Sequence, residues 1–235
     1  MSPASTSTAR RSLEKRLRAL QRAYYENPRD TSVPPEYLRT LSEMRRLSGG
    51  GRTGTGPRLH LGCGGHRIEG WINVDLAPDG STDALADCAR ALPFPDGSIA
   101  FIHSEDLIEH LDRESGRRLL GECFRLLRPG GAMRLLTPDL RALVAKVYRG
   151  RAGRHLRWCA AELSAEGPCE ALNMHLRMNG EHRFVYDEEL LRGDLARLGF
   201  SVRRTRWNAS RHPELRWLDL RDFGLNLFLE ATKAG

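Results

Sequence analysis

The residues with the clearest chemical potential lie in the segment "HSEDLIEHL", where Asp106, Glu109 and His110 are spaced i, i+3 and i+4. If the segment is helical, this spacing places two carboxylates and one imidazole on a single face. Such a set could hold a divalent cation, which would lower the pKa of a bound hydroxyl and fix its orientation. Alternatively, His110 caps the helix or acts as a general base without a metal.

A glycine-rich turn follows an apolar run in "LHLGCGG", where Gly62, Cys63 and Gly64 allow the backbone to turn sharply and approach a ligand closely. Asp75 ends the next apolar run, where its carboxylate could accept hydrogen bonds from both hydroxyls of a ribose. Asp87 ends a third run. Dinucleotide sites need a full helix between the glycines and the acid, and this link is too short for one. We therefore expect a nucleoside ligand without phosphates, and neither NAD nor FAD.

The elements that position these residues are short apolar runs alternating with helical stretches after Pro57, a rhythm typical of a parallel sheet with crossover helices. A helix is predicted over 113–127, where "RPGG" stops it. We expect an α/β fold with a Rossmann-like, seven-stranded, mostly parallel sheet. The predicted strands are 58–63, 71–75, 83–87, 98–104, 132–137, 201–207 and 225–232.

The segments "LHLGCGG", "GWINVDL", "LPFPDGSIAFIHSEDLIEHL" and "LLRPGGAMRLLTPDL", in this order, resemble the class I S-adenosylmethionine-dependent methyltransferases that act on small molecules. The resemblance is dense over 58–140, and "EHRFVYDEELLRGDLARLGF" and "LNLFLEATK" extend it to the end of the chain. It implies an enzyme that uses S-adenosyl-L-methionine. The link between Gly64 and Trp71 departs from the family by being very short, at the place of the usual first crossover helix.

The resemblance also implies roles for individual residues. The glycine loop would wrap the methionine part of the cofactor, Asp75 would hold the ribose, and Asp87 would contact the adenine amino group. His103 and Ser104 would lie at the end of the fourth strand, beside the methyl group. The cofactor site assigned on this basis comprises Gly62, Cys63, Gly64, Asp75, Leu76, Asp87, Cys88 and His103.

The segment around Glu109 is also similar to the E-x-x-E-H metal motif of small-RNA 2'-O-methyltransferases and of ubiquinone-pathway O-methyltransferases. In the former, an "H-[KR]-F" pattern supplies a further histidine ligand, which His182 matches here. This similarity implies a site for Mg²⁺ or another divalent cation, with Asp106, Glu109, His110 and His182 as ligands. Asp106 departs from the motif, which has a glutamate there, and metal-free relatives also carry an "EH" at this point.

Methyl transfer from a sulfonium is an in-line displacement, so holding the acceptor and the methyl group in place supplies much of the catalysis. A hydroxyl acceptor must also lose a proton, and His110, His182 and His175 are the candidate catalytic residues for that task. A histidine in a polar loop is more often structural, and only the clustering of these three favours a catalytic role. The histidines and carboxylates together favour oxygen as the methylated atom.

Composition excludes several other classes of protein. The 235 residues are 40% hydrophobic, which excludes disorder of the whole chain, and neither an apolar leader nor a run of ~20 apolar residues occurs. We expect a soluble, cytoplasmic protein. The net charge of +7 comes almost entirely from arginines interleaved with acids. Five cysteines without a C-x-x-C argue against a disulfide framework and a structural zinc site.

The chain divides into an N-terminal helical arm with a Gly-rich linker (1–56) and an S-adenosylmethionine-binding domain (57–235). The arm contains a helix over 10–26 and a second helix from Pro35. It either packs on the domain with its arginines solvated or acts as a lid or as the interface of a homodimer. Residues 138–183 are too long for an ordinary connection and are interpreted as a substrate cap, with Trp158, Met174 and Met178 as candidate pocket walls.

These observations predict O-methylation of a hydroxyl on a sugar-like or natural-product small molecule, with no membrane partner. The cluster in or near "NASRHPELRW" could recognise a carboxylate or phosphate on this acceptor through Arg206, Arg211, His212 and Arg216. One alternative is an RNA methyltransferase, which the charge and the arginine-rich arm favour, although no RNA-binding module is recognisable and nucleic acid is not the expected partner. The other is a cyclase or scaffold that binds S-adenosylmethionine without transferring its methyl group.

Overall fold

The computed structural model describes residues 3–26, 36, 40, 43, 56–77, 80–149, 165–222 and 224–235. Most of the second helix predicted for the arm lies outside these ranges, as do residues 48–55 of the linker and Trp158. The first helix of the arm, α1, spans Pro3–Glu26. Within the described ranges, no helix is both long and apolar enough to cross a membrane.

A seven-stranded sheet forms the centre of the molecule, with the strand order β3-β2-β1-β4-β5-β7-β6. Strand β7 is antiparallel to its neighbours β5 and β6, and all the other pairs are parallel. The predicted fold class is therefore confirmed, and each predicted strand overlaps an observed one. The strands are β1 (Arg58–Leu61), β2 (Ile72–Asp75), β3 (Ala84–Leu85), β4 (Ile99–Glu105), β5 (Leu127–Pro138), β6 (Phe200–Arg204) and β7 (Asn226–Lys233).

Helices α2 (Arg113–Leu126) and α5 (Glu188–Arg197) cover one face of the sheet. Helix α2 begins where the Asp112 carboxylate accepts a hydrogen bond from Ser115 N at 2.8 Å, which caps one of the free amides of the first turn. Its apolar stripe packs with that of α5 on Leu59 and other buried strand residues. This layer is the main hydrophobic core.

The opposite face of the sheet carries a row of buried polar side chains. Register pairs His60 with His103, His103 with Arg134, and Arg134 with Glu230, so the four side chains lie side by side on one face. Arg134 is fully buried, and both Nε and Nη2 donate to the Asp219 carboxylate at 2.5 Å. This ion pair ties the segment 205–222 to the sheet, in place of an apolar helix.

Helix α1 packs on this same segment. Its Leu13 and Leu17 are buried against Trp217, and Trp207 and Leu220 pack at the edge of the cluster. The helix is therefore attached to the domain through residues that follow β6. Packing on the domain is one of the two interpretations of the arm given above, and its role as a lid or a dimer interface stays a prediction.

A small helical region lies between β5 and β6. It contains α3 (Leu140–Ala142), a π-helical turn (Leu143–Tyr148), α4 (Pro168–Arg177) and a 3-10 turn (Met178–Gly180). These elements share a hydrophobic cluster of their own, formed by Leu143, Val147, Ala165, Ala171 and Leu225. The described part of the predicted cap is therefore helical and has a local core, and its role in substrate binding stays a prediction.

Candidate functional site

The glycine loop begins where β1 ends. Gly62 and Gly64 have φ angles of +67° and +48°, in the left-handed region that glycine adopts without strain. A Cβ atom at Gly62 would lie 2.9 to 3.1 Å from the side chain of Leu107. The loop and residue 107, just past β4, are therefore in close contact, and only glycine fits at position 62.

Asp75 holds the loop in this shape. Its Oδ2 accepts a hydrogen bond from Gly64 N at 2.8 Å, and its Oδ1 accepts one from Ala77 N at 3.1 Å. Leu76, the next residue, leaves 71% of its surface exposed. A carboxylate at this position could accept hydrogen bonds from the hydroxyls of a ribose, and the exposed leucine beside it could pack against the base of the same nucleoside.

Asp87 and Cys88 follow β3, at the same edge of the sheet. The side chain of Asp87 accepts hydrogen bonds from Ala89 N at 2.9 Å and from Arg90 Nε at 3.2 Å, and it is 38% exposed. Cys88 is buried in the main hydrophobic core, and burial raises the pKa of its thiol to about 12. Cys88 can therefore contact a cofactor only through its backbone.

The assignment of His103 to the cofactor site requires correction. Strand β4 continues to Glu105, so His103 lies inside the strand and not at its end. Its ring is 1% exposed and packs against the rings of His60 and Trp71. Because it has almost no accessible surface, His103 belongs to the buried polar row.

The short link between β1 and β2 contains no helix, and all of residues 62–71 are described. Asn73 holds it instead. Its Oδ1 accepts a hydrogen bond from Ile68 N at 2.8 Å, and its Nδ2 donates to Ile68 O, Trp71 O and Asp83 Oδ2. One buried amide thus fixes a loop that contains no helix.

Glu109 lies in a 3-10 turn, Ile108–His110, directly after β4. Its side chain is fully buried, and its Oε2 accepts a hydrogen bond from Thr137 Oγ1 at 3.0 Å. Its Oε1 is buried and has no hydrogen-bond partner among the described residues. Burial, followed by the charge of Asp106, raises the pKa of this carboxyl well above its usual value. A buried carboxylate oxygen without a partner is costly, and a bound cation would remove that cost.

His182 is brought to Glu109 by backbone contacts. The amides of Arg183 and Phe184 both donate to Glu109 O, at 2.8 and 3.1 Å. One ligand atom from each of Glu109, His110 and His182 lies within 4.8 Å of the other two. Two imidazoles and a carboxylate at this separation are a suitable ligand set for a divalent transition metal. Three of the four predicted metal ligands therefore converge.

Asp106 lies apart from this set. The segment is not an α-helix, and Asp106 precedes the 3-10 turn with a left-handed φ of +49°. The predicted i, i+3, i+4 face therefore does not form. Its Oδ2 lies 3.7 Å from Arg221 Nη2. Partial burial raises the pKa of this carboxyl to about 6, although Arg221 opposes the rise.

These residues line a cavity of about 330 Å³. His175, the third candidate catalytic histidine, is also in its wall, and burial and the neighbouring His182 lower its pKa to about 4. Met178 lines the cavity as predicted for a pocket wall, whereas Met174 is not in its lining. The lining residues are Asp106, Glu109, His110, Pro138, Leu143, His175, Met178, Glu181, His182, Arg221, Leu225 and Asn226.

Sequence reasoning missed one residue of this site, Arg221. Arg221 lines the cavity, while Arg206, Arg211 and Arg216 do not. Arg216 instead donates to Ser210 O at 2.9 Å, which fixes its own loop. Nothing in the local pattern distinguishes Arg221 from the many other arginines of this chain, because only the path of the segment 205–222 brings it to the cavity.

Comparison with known proteins gives a family and a fold. The family model "Methyltransferase domain" matches residues 59–135, which include the glycine loop, Asp75 and the metal-ligand candidates of the 3-10 turn. No curated protein sequence matches the chain. A S-adenosylmethionine-dependent methyltransferase structure from Archaeoglobus fulgidus is 15% identical, with a TM-score of 0.51, over 82% of this chain and 92% of that one.

A S-adenosylmethionine-dependent methyltransferase from Mesorhizobium loti is 17% identical, with a TM-score of 0.48, over 83% of this chain and all of that one (100%). At these identities the argument for the fold rests on the Archaeoglobus fulgidus structure and on the strand order described above. Residues 59–135 are thus identified as a methyltransferase domain, in a chain that shares the fold of the Archaeoglobus fulgidus S-adenosylmethionine-dependent methyltransferase structure.

Proposed function

We propose that this methyltransferase methylates an oxygen of a hydroxylated small molecule, sugar-like or natural-product in type, with a divalent cation held by Glu109, His110 and His182. The observation that carries the proposal is the buried Oε1 atom of Glu109, which has no hydrogen-bond partner among the described residues and lies near two imidazoles. Without a cation, this buried oxygen has no partner among the described residues, which is costly.

The orientation of His182 also supports the proposal. Its Nδ1 lies 2.7 Å from the carbonyl oxygen of His175, so Nδ1 carries the proton and Nε2 keeps its lone pair. Metal-binding histidines commonly donate their second ring nitrogen to a carbonyl or carboxylate in this way. Thr137 orients Glu109 in a similar way. Its hydroxyl donates a hydrogen bond to Oε2 and leaves Oε1 for a ligand.

S-adenosylmethionine supplies a methyl group already activated on a sulfonium, and a divalent cation at this place would lower the pKa of the acceptor hydroxyl. In this proposal the glycine loop and Asp75 orient the cofactor at the carboxyl ends of β1 and β2. The acceptor lies in the cavity, where its hydroxyl oxygen attacks the methyl carbon as the bond from that carbon to sulfur breaks. The acceptor proton passes to the carboxylate of Asp106, which lines the cavity outside the ligand set.

The first test is titration of the full chain with S-adenosylhomocysteine, before and after Asp75→Ala. The substitution removes the acceptor of the Gly64 and Ala77 amides as well as the expected ribose contact, so we expect affinity to fall at least about 100-fold, or ~2.7 kcal/mol. Near-normal affinity would refute the cofactor assignment. Circular dichroism of both proteins controls for folding.

The second test is titration with Mn²⁺ and Mg²⁺ of the wild type, Glu109→Gln and Glu181→Gln. Glu181 lies in the wall of the same cavity but outside the ligand set, which makes it the matched control. We expect Glu109→Gln to lose Mn²⁺ binding and Glu181→Gln to keep it. Equal binding by all three proteins, or none by the wild type, would refute the metal.

The third test measures release of S-adenosylhomocysteine with hydroxylated acceptors, with and without EDTA. Turnover that EDTA abolishes and Mg²⁺ restores supports metal-assisted O-methylation. Turnover only with RNA, with loss of binding at high salt, would favour the RNA methyltransferase alternative. Cofactor binding without turnover on any acceptor would favour the cyclase or scaffold alternative.

A further inference from the structure

We infer that Arg221 is the residue that recognises the acceptor, and that it binds an oxyanion, a carboxylate or a phosphate, on the molecule to be methylated. Only the identity of that molecule as the methyl acceptor rests on the proposed function. The anion site itself depends on the cavity alone.

Arg221 presents its guanidinium to the cavity. The side chain lines the cavity wall and is 52% exposed. Its Nη2 lies 3.7 Å from Asp106 Oδ2, within ion-pair distance. Among the described residues of the cavity wall, it is the one arginine or lysine. A planar guanidinium pairs with carboxylates and phosphates through two parallel hydrogen bonds.

The main chain that carries Arg221 is held unusually firmly for an exposed arginine. Leu220 N and Arg221 N both donate to the Glu105 carboxylate, at distances from 2.8 to 3.1 Å. The preceding residue, Asp219, pairs with Arg134, and its amide donates to Asn208 Oδ1 at 2.9 Å. Three successive residues are thus fixed by side chains from other parts of the chain.

Glu105 is costly to keep at this position, which argues that the contact has a purpose. It is 7% exposed, and burial raises the pKa of its carboxyl to about 7. A fixed main chain lowers the entropy lost when a side chain binds a ligand, so the contact pre-organises Arg221 for binding.

The rest of the cavity fits an acceptor that is part polar and part apolar. Leu143, Met178 and Leu225 give it apolar walls, and the candidate metal ligands line it as well. A small ring or short chain that carries a hydroxyl for the Glu109 cluster and an oxyanion for Arg221 would use all three features.

The test is calorimetric titration of the full chain, with EDTA present, against benzoate, benzamide and inorganic phosphate. Benzamide is the neutral counterpart of benzoate and has nearly the same shape. We expect an anion to bind saturably with a Kd of about 1–10 mM, and benzamide to bind at least about tenfold more weakly than benzoate. The relative affinities of benzoate and phosphate distinguish a carboxylate from a phosphate as the natural group.

Arg221→Gln removes the charge, and Arg211→Gln is its control, because Arg211 is exposed on the same segment and outside the cavity wall. We expect Arg221→Gln to bind the anions at least about tenfold more weakly and Arg211→Gln to bind them as the wild type does. Unchanged binding by Arg221→Gln, equal affinity for benzamide and benzoate, or no anion binding by the wild type below about 50 mM would overturn the inference.

None of these binding measurements depends on methyl transfer. A protein that binds benzoate through Arg221 but methylates nothing would refute the proposed reaction and leave the anion site standing. A protein that methylates neutral acceptors only and ignores benzoate would refute the anion site and leave the reaction standing.

Discussion

The Nδ1 atom of His182 donates a hydrogen bond to the carbonyl oxygen of His175 across 2.7 Å. The contact fixes both the tautomer and the direction of the His182 ring, because a carbonyl oxygen can only accept. It also joins the C-terminal half of α4 to the 3-10 turn that contains Glu109, since the amides of the two residues after His182 donate to Glu109 O. The small helical region and the sheet thus meet at the candidate metal ligands.

This contact uses the backbone of residue 175, so the two histidines should differ in their effect on metal binding. We expect His182→Ala to weaken Mn²⁺ binding by more than about 100-fold, since it removes a ligand, and His175→Ala to weaken it by less than about tenfold. Both variants are titrated beside the wild type. Equal losses in the two variants would mean that the His175 side chain, and not its carbonyl, matters for the site.

Gly62→Ala should disrupt the glycine loop. The residue has φ +67°, and an added Cβ would lie within 3.1 Å of Leu107. We expect destabilisation of about 1–3 kcal/mol and loss of S-adenosylhomocysteine binding, measured by urea unfolding and calorimetry. Gly65→Ala is the control, because nothing lies within 4 Å of its Cβ position and its φ is not left-handed. Similar behaviour of the two variants would contradict the assignment of strain to position 62.

Arg134→Met should strongly destabilise the protein. Arg134 and Asp219 are both 0% exposed, and the substitution would leave the Asp219 carboxylate buried without its ion pair. Breaking a buried pair from one side costs about 3–5 kcal/mol. Urea unfolding measures the loss, and the double variant Arg134→Met with Asp219→Asn tests its origin. We expect the double variant to recover part of the stability, whereas a purely additive loss would show that the packing of Arg134 dominates.

The contribution of Asp83 to stability should depend on pH. Hydrogen bonds from the amide and side chain of Asn73, together with Arg67, lower the pKa of Asp83 to about 2 from its ordinary 3.8. Because the unfolded chain binds this proton more readily, the stabilisation is complete above pH 4 and declines as the pH falls towards 2.

Asp83→Asn keeps an oxygen for the Asn73 amide but cannot titrate, so it is the reference protein for this effect. The difference in free energy of unfolding between wild type and variant should shrink from pH 5 to pH 3. A difference that is constant over this interval would contradict the role given to Asp83.

The sequence by itself determined the sheet and located the glycine loop and Asp75 at one edge of it. The alternation of short apolar runs located all seven strands, because a strand buried on the α2 face must place an apolar residue at every second position. The glycines and Asp75 could be assigned from local sequence, since a tight turn and a strand-end carboxylate depend only on neighbouring residues. Glu109, His110 and His182 were also found from sequence, through short motifs.

Other features were decided only by the tertiary structure. His103 has the same local pattern as a residue at a strand end, but the length of β4 places it inside the sheet. In the sequence, the polar row from His60 to Glu230 appears only as single polar residues within apolar strands. In the structure, segment 205–222 supplies Asp219 and backbone carbonyls as partners for this row.

The cavity itself is the clearest case. Asp106 precedes the turn in a left-handed conformation, so the face expected from helical spacing does not form, and His182 completes the cluster from a distant part of the chain. Arg221 reaches the same cavity because Glu105 binds the backbone of its segment. Contacts between residues so far apart in the chain depend on how the strands and the connecting segments pack together. Local sequence patterns depend only on neighbouring residues and do not specify that packing.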